Sequence, residues 1–379
     1  MKKIAFSGTL DPITNGHMWV IQEARALADE VVVMISENPF KKPQFSASER
    51  KAIVEKSVMA QGWTNVSVVL VKNDYTARTA KRLGIDYLIR GIRNTADFDY
   101  ENLIQQANVE VLQGAKTIFV MPPRDLGSVS SSFVRALQGP VGWHWNVEKF
   151  LPEPAYKAWI VDWLGREWRS LWIQSDVDTS ARANEDKWFQ YLAGGSAYGS
   201  PQRHYHNLNH LVHGLTEIAA WAATTNANRN DISTIKKAFW FHDVVYDDVK
   251  QGISNEEASA RLWLESGLDI DNAAEVADLI RATDHLQQNE IAHPLKDIMI
   301  GVDLAILGQP NEVYDQYARD VRNEYRSIEE ETYRTNRKTV MMYFQHKAGS
   351  EELFHDAYFN DLYNQQALVN FEREIESLS

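Results

Sequence analysis

Five short apolar runs, each followed by a helical pattern, constrain the first half of this chain more than any other feature. The runs are Lys3–Phe6, Val31–Ile35, Val66–Val71, Tyr87–Ile89 and Thr117–Val120. Helical patterns fall at Met18–Ala28, from Ser46 onward, and at Thr76–Leu83, Ala96–Leu112 and Ser131–Leu137. Ser46-Ala47-Ser48-Glu49 reads as a capping box. Such alternation predicts a parallel sheet with helices on both faces, since parallel neighbours need a crossover and a helix supplies it. Ligands of such sheets sit beyond the carboxyl ends of the strands. Gly8–His17, Asn38–Lys42 and Arg90–Arg93 each follow a strand, so they are expected to converge on one crevice.

The stretch from Gly8 to His17 is a Gly-rich turn between a strand and a helix. Its two glycines let backbone approach a ligand, and the free N–H groups of the helix start favour phosphate. Lys41-Lys42-Pro43, Arg90-Gly91-Ile92-Arg93 and Ser130-Ser131-Ser132 are three further phosphate-friendly clusters. Singly, a lysine pair is a solvated loop, an arginine pair a surface ion-pair partner and a serine run a helix cap. At the strand ends of one sheet they fit nucleotidyl transfer, in which position and positive charge replace a covalent nucleophile. His17 would bond the α-phosphate as charge builds there. Lys41 would hold the attacking phosphate, and Arg90, Arg93 and the serine turn the triphosphate tail.

A chain of 379 residues suggests two domains. Its net charge of −13 is unevenly placed: residues 1–160 carry +3 and the remainder −16. The acidic half argues against a nucleic-acid partner, and the mildly basic half suits a small anion. The absence of cysteine excludes thiolate nucleophiles and Cys-ligated zinc. No apolar run reaches membrane-spanning length, and Met1-Lys2-Lys3-Ile4 enters a strand without a signal-peptide core. A cytoplasmic location with no membrane partner is expected.

The pattern changes at Gly139-Pro140-Val141-Gly142. A helix is expected over Pro154–Trp168, then His210–Ala223, Ile235–Phe241, Asn255–Glu265, Ala273–Ala282 and Glu312–Tyr325, so the second half reads as all-α with a boundary near residue 160. Its histidines fall in Arg203-His204-Tyr205-His206-Asn207-Leu208-Asn209-His210, in Phe241-His242-Asp243 and in Asp284-His285, with Val302-Asp303 further on. His206 and His210 share a helix face at a spacing of four. Imidazole with carboxylate suits Zn²⁺, Fe²⁺ or Mn²⁺, and such a cation polarises a phosphoryl oxygen and activates water. His213 is expected in core or solvent, and His293, His346 and His355 on the surface.

Residues 1 to about 158 resemble bacterial phosphopantetheine adenylyltransferase. The matching pieces are Gly8–His17, Asn38–Pro43, Ser48-Glu49-Arg50, Arg90–Arg93, Asp97–Glu101, Val129–Arg135 and Phe150-Leu151-Pro152-Glu153. The resemblance implies a Rossmann-like domain over 1–160 that adenylylates 4′-phosphopantetheine with ATP and Mg²⁺, giving dephospho-coenzyme A and pyrophosphate, within a homo-oligomer. It assigns Thr9 and His17 to the reacting phosphates, and Lys41 with Arg90 to the pantetheine phosphate. Arg93, Glu101 and Ser130, Ser131 and Ser132 fall to ATP, and Asn108 to the pantetheine arm. Ser7 replaces the family's Pro and Leu10 its Phe, beside the active-site turn. Another acceptor phosphate, such as nicotinamide mononucleotide, stays open.

Residues 161–379 resemble the HD superfamily of metal-dependent phosphohydrolases through Arg203–Asn207, His242–Asp247, Asn255-Glu256-Glu257, Val302–Gly308 and Arg322-Asn323-Glu324-Tyr325. The pattern implies metal ligands His210 (with His206 the alternative), His242, Asp243 and Asp303. It makes Asp247 or Glu256 the general base or the holder of metal-bound water, and gives Arg203 and His285 to substrate phosphate. Its substrate would be a small phosphate ester, with nucleotides among the candidates. A nucleotide-sensing regulatory module is the competing reading.

Overall fold

The computed structural model describes residues 1–37, 42–72, 74–112, 114–172, 179–246, 252–285, 291–350 and 353–379. Lys41 and Asp247 lie outside these. The chain divides into two compact units, Met1–Ile160 and Val161–Ser379, and the division falls within one helix, Glu153–Leu171.

The first unit runs β1 (Lys3–Gly8), α1 (Asn15–Leu27), β2 (Glu30–Ser36), α2 (Ala47–Ala60), β3 (Val66–Val71) and α3 (Thr76–Arg82). It continues with β4 (Tyr87–Gly91), α4 (Thr95–Gln106), β5 (Lys116–Val120), α5 (Ser131–Leu137) and α6 (Trp143–Glu148). All strand pairs are parallel, in the order β3-β2-β1-β4-β5. Phe6 of β1 aligns with Val33 of β2 and Ile89 of β4. The central strand is apolar on both faces because helices cover both: Ile4 and Ala5 are buried completely, as are their neighbours Val33 of β2 and Ile89 of β4. The chain leaves β1 toward β2 on one side and reaches β4 on the other. That reversal opens a crevice beyond the ends of β1 and β4. The unit is therefore a Rossmann-like sheet, and the turns after these two strands face the crevice.

Two helices of this first unit depart from the sequence expectation. α1 begins three residues earlier than Met18, because Thr14 caps it and the apolar period starts only in its second turn. The helix expected over Ala96–Leu112 ends as α4 at Gln106 and passes into a π-helical turn, Ala107–Val111. Asn108 sits in that turn, where its carbonyl accepts from Gly114 N–H at 2.8 Å. The Ser46–Glu49 capping box is present: Glu49 N–H donates to Ser46 Oγ at 3.3 Å and Ser46 N–H to Glu49 Oε2 at 2.8 Å.

The second unit starts within α7 (Glu153–Leu171) and continues with α8 (Thr179–Ala193), α9 (Leu208–Thr225), α10 (Arg229–Phe241), α11 (Asn255–Ser266) and α12 (Ala273–Arg281). Then come α13 (Lys296–Leu304), a 3₁₀ turn at Ala305–Gly308, α14 (Asn311–Glu324), α15 (Glu330–Gly349) and α16 (Ala357–Ser377). Among its described residues there is no strand. α10 starts at Arg229 rather than Ile235, since Asn228 caps it, accepting from Asp231 N–H at 2.9 Å. Its apolar face, Phe239–Phe241, is buried, with Trp240 edge-on to Trp168 and Phe241 edge-on to Trp263. α9 approaches α10 closely at Gly214, where a Cβ would lie 2.0 Å from the Phe239 ring. No described helix is long and apolar enough to cross a membrane.

Candidate functional site

In the first unit the crevice holds a cavity of about 550 Å³. Thr9, His17, Arg90, Arg93 and Glu101 line it, together with Ser130, Ser131 and Ser132. The turn after β1, the end of β4 and the start of α5 thus meet around one space. Asn108 is not among the lining residues.

His17 is held from its own helix cap. Thr14 N–H donates to His17 Nδ1 at 3.0 Å, so the neutral ring carries its proton on Nε2 and is a donor there. Ser130 caps α5, accepting from Phe133 N–H at 3.1 Å, while Ser131 Oγ donates to Pro12 O at 2.8 Å. The serine turn is therefore fastened directly to the turn after β1.

Arg90 and Arg93 both have carboxylate partners. Arg90 Nε donates to Glu101 Oε2 at 2.8 Å, and Arg90 also donates to the carbonyl of Ser7. Arg93 makes two bonds to Asp97, at 2.7 and 3.1 Å. The Arg93 bond holds the Asp97 carboxyl below its ordinary range. An incoming polyanion meets cations already fixed in direction, at the cost of displacing or sharing these carboxylates.

Four residues of this site had no role in the sequence reading. Asp11 is buried and accepts from Gln44 N–H at 2.8 Å and Phe45 N–H at 3.0 Å, tying the β1 turn to the segment before α2. Arg50, 2% exposed, donates to the carbonyls of Thr9, Ser36 and Phe45. Arg135 donates to the Asp11 carbonyl, and Asp97 fixes Arg93. Asp11, Arg50, Asp97 and Arg135 all lay inside recognised sequence pieces; Asp97 meets Arg93 at a local spacing of four, whereas the partners of Asp11, the Thr9 partner of Arg50 and the Asp11 partner of Arg135 come from distant segments.

In the second unit α9, α10 and α13 bring His210, His242, Asp243 and Asp303 together, with one ligand atom of each within 4.8 Å of the others. His210 Nε2 lies 3.0 Å from His242 Nε2 and 3.6 Å from Asp243 Oδ2 and from Asp303 Oδ1. His242 Nε2 lies 3.0 Å from Asp243 Oδ2 and 3.3 Å from Asp303 Oδ1. His242 Nδ1 donates to the Phe239 carbonyl at 2.8 Å, so its Nε2 is the atom turned into the cluster. The close approach of α9 and α10 at Gly214, one turn beyond His210, is what lets the two rings meet.

Burial, with the charge of His242 behind it, pushes His210 down to about 3. Burial also opposes charge on His242, but the carboxylates of Asp243 and Asp303 outweigh it and raise that ring well above its ordinary value. Two nitrogens and two carboxylate oxygens converging in a buried space are a donor set that fits a divalent transition cation. His210 Nδ1, buried and without a hydrogen-bond partner among the described residues, leaves Nε2 as that ring's only point of attachment.

The surrounding residues divide. His285 Nε2 lies 2.8 Å from Asp303 Oδ2, the oxygen opposite the cluster. Arg203 spends its guanidinium on the backbone, donating to the carbonyls of Asp243 at 2.6 Å and Val244 at 2.7 Å. It braces the segment that carries Asp243. Glu256 is half-buried in the first turn of α11, and burial raises its carboxyl, helped by the charges of Asp284 and Asp243. His206 stacks on Tyr246 and pairs with Glu324, with Nε2 3.7 Å from Asp243 Oδ2. His213 belongs to the core, bonded to the fully buried Glu217 at 3.1 Å.

A cytidylyltransferase-like family model matches residues 5–137. Phosphopantetheine adenylyltransferase of Chromobacterium violaceum is 37% identical over 160 residues, which is 42% of this chain and 96% of that protein. The enzyme of the same name from Neisseria meningitidis serogroup C is 30% identical over 161 residues, 42% of this chain and 94% of the relative. That of Streptococcus suis is 41% identical over 132 residues, 35% and 80% respectively. With nearly the whole length of such relatives matched, the chain belongs to the phosphopantetheine adenylyltransferase family.

Proposed function

We propose that residues 1–160 transfer the adenylyl group of ATP to 4′-phosphopantetheine, giving dephospho-coenzyme A and pyrophosphate. Family membership and the cavity that joins Thr9, His17, Arg90 and Ser130–Ser132 support this reading. A phosphate oxygen of the acceptor forms a bond to the α-phosphorus while the α–β bridging P–O bond breaks, and the electron pair leaves with pyrophosphate. His17 Nε2–H donates to the α-phosphate as its charge grows. Arg93 and the α5 N-terminus hold the triphosphate, and Arg90 and Lys41 hold the acceptor phosphate. Mg²⁺, when bound with ATP, supplies charge neutralisation. His17→Ala should cut adenylyl transfer by at least ~100-fold while the protein stays folded; near-normal transfer would refute the assignment.

For residues 161–379 we propose an HD-type phosphohydrolase of a small phosphate ester. The convergence of His210, His242, Asp243 and Asp303 carries this reading. These four would hold Zn²⁺, Fe²⁺ or Mn²⁺, and the bound cation supplies Lewis acidity toward a phosphate oxygen and toward water. Glu256, whose carboxyl is raised by burial, takes the proton of the attacking water. The His285 ring, beside the outer oxygen of Asp303, offers a bond to the ester phosphate. A panel of nucleotides and aryl phosphates, assayed with Mn²⁺ on the full chain, tests it. His242→Ala with Asp243→Ala should abolish hydrolysis and spare adenylyl transfer. Collapse of transfer in a folded double variant would favour the nucleotide-sensing reading instead.

A further inference from the structure

Glu324, at the C-terminal end of α14, is engaged in an unusual way. Its Oε1 accepts three successive backbone N–H groups, those of His204 at 2.9 Å, Tyr205 at 2.8 Å and His206 at 2.9 Å. Its Oε2 lies 2.7 Å from Nδ1 of His206. Three donors pin Oε1 to the backbone, so Oε2 can only face the imidazole. A carboxylate oxygen there requires a proton on Nδ1, and the neutral ring then bears its lone pair on Nε2. Nε2 of that ring lies 3.7 Å from Asp243 Oδ2, with the ring clamped in its plane by stacking on Tyr246 at 3.7 Å between centroids. A carboxylate fixing the remote nitrogen of a histidine is also how metal-ligating histidines are commonly oriented.

We propose that Glu324 is a positioning residue for the metal cluster: it fixes the tautomer of His206 and supplies that ring's Nε2 as a fifth donor on the Asp243 side. This rests on the metal-centre reading of His210, His242, Asp243 and Asp303. The backbone cradle and the His206 contact come from opposite oxygens of one side chain, so a single isosteric change separates them. In Glu324→Gln the amide oxygen keeps the three N–H groups, because an NH₂ there would confront donors. The amide N–H is then forced against Nδ1, which must accept, and the proton moves to Nε2. The loop is kept and the lone pair is removed.

The test uses the full chain with Co²⁺ as the only added ligand, read by visible absorption and by titration calorimetry, and ¹⁵N NMR of the histidine rings for the tautomer. The expected result is Co²⁺ bound by the parent chain, bound about 10–100-fold more weakly by Glu324→Gln, with altered absorption bands and an inverted His206 tautomer. His206→Ala should weaken binding to the same degree, and combining it with Glu324→Gln should add nothing. If the parent chain binds Co²⁺ in a manner abolished by Asp243→Ala, yet Glu324→Gln binds it with unchanged affinity and spectrum, the role of Glu324 is overturned and the metal centre stands. If the parent chain and Asp243→Ala are alike in binding none, the metal-centre reading itself falls and the present inference with it.

Discussion

The Nε2 atoms of His210 and His242 face each other across 3.0 Å in the buried centre of the helical unit. Two imidazole nitrogens hold that distance only around a shared proton or a cation. The carboxylates of Asp243 and Asp303 on the same space favour either positive occupant. A cation that binds the folded cluster and not the unfolded chain stabilises this unit by mass action. Mn²⁺ or Zn²⁺ at 100 times its dissociation constant should add about 2.7 kcal/mol. The gain is read as a rise in the midpoint of thermal unfolding that EDTA reverses and Asp243→Ala abolishes.

Thr14 joins stability to chemistry in the first unit. Its hydroxyl caps α1 and its N–H orients His17. Thr14→Ala should cost about 1 kcal/mol of stability through the lost cap, measurable by urea denaturation. Adenylyl transfer should fall less than in His17→Ala, since the Thr14 N–H that fixes the His17 tautomer survives the substitution.

Arg50 is structural although it lies beside the turn after β1. Its guanidinium donates to three backbone carbonyls, and Asp11 adds a nearby negative charge. Arg50→Met should destabilise the unit by about 1–3 kcal/mol, the cost of leaving buried carbonyls without their donor. Thermal unfolding followed by circular dichroism checks this, and a shift within error would contradict it.

Glu257 supplies an acid-limb prediction. Hydrogen bonds from Arg281 first, and Arg261, hold its carboxyl below the ordinary value of 4.5. A depressed carboxylate stabilises fully above its unfolded pKa, and the contribution is lost as pH falls through the lower folded value. Arg281→Met should therefore be less stable than the parent near pH 7, and the difference should shrink below about pH 4.5. Paired denaturation curves from pH 7 to pH 3 read the convergence. A gap that stayed constant with pH would assign the effect to packing.

Much of the fold was legible before the structure. The apolar runs placed all five strands to within two residues at either end, because a buried parallel strand is a short continuous apolar segment. The capping box at Ser46 and the cap at Ser130 were legible for the same reason, both being contacts within three residues. Less was visible at α1 and α10, where polar first turns precede the apolar period and only the caps Thr14 and Asn228 mark the start.

The sequence by itself determined the element types, the order of the phosphate-friendly turns, and the His, His-Asp and Asp series of the second half. These follow from periodicities and spacings of two to four residues, which backbone geometry imposes locally. Only the tertiary structure decided which groups answer one another. Arg90 meets Glu101 rather than standing open, Arg203 turns to backbone carbonyls, and Glu324 reaches back 118 residues to His206. Each of these pairings depends on how distant helices and strands pack, and packing is set by the whole buried surface rather than by any one stretch. The chemistry was therefore readable as a set of candidates, and the fold chose which of them face the ligand and which hold the others in place.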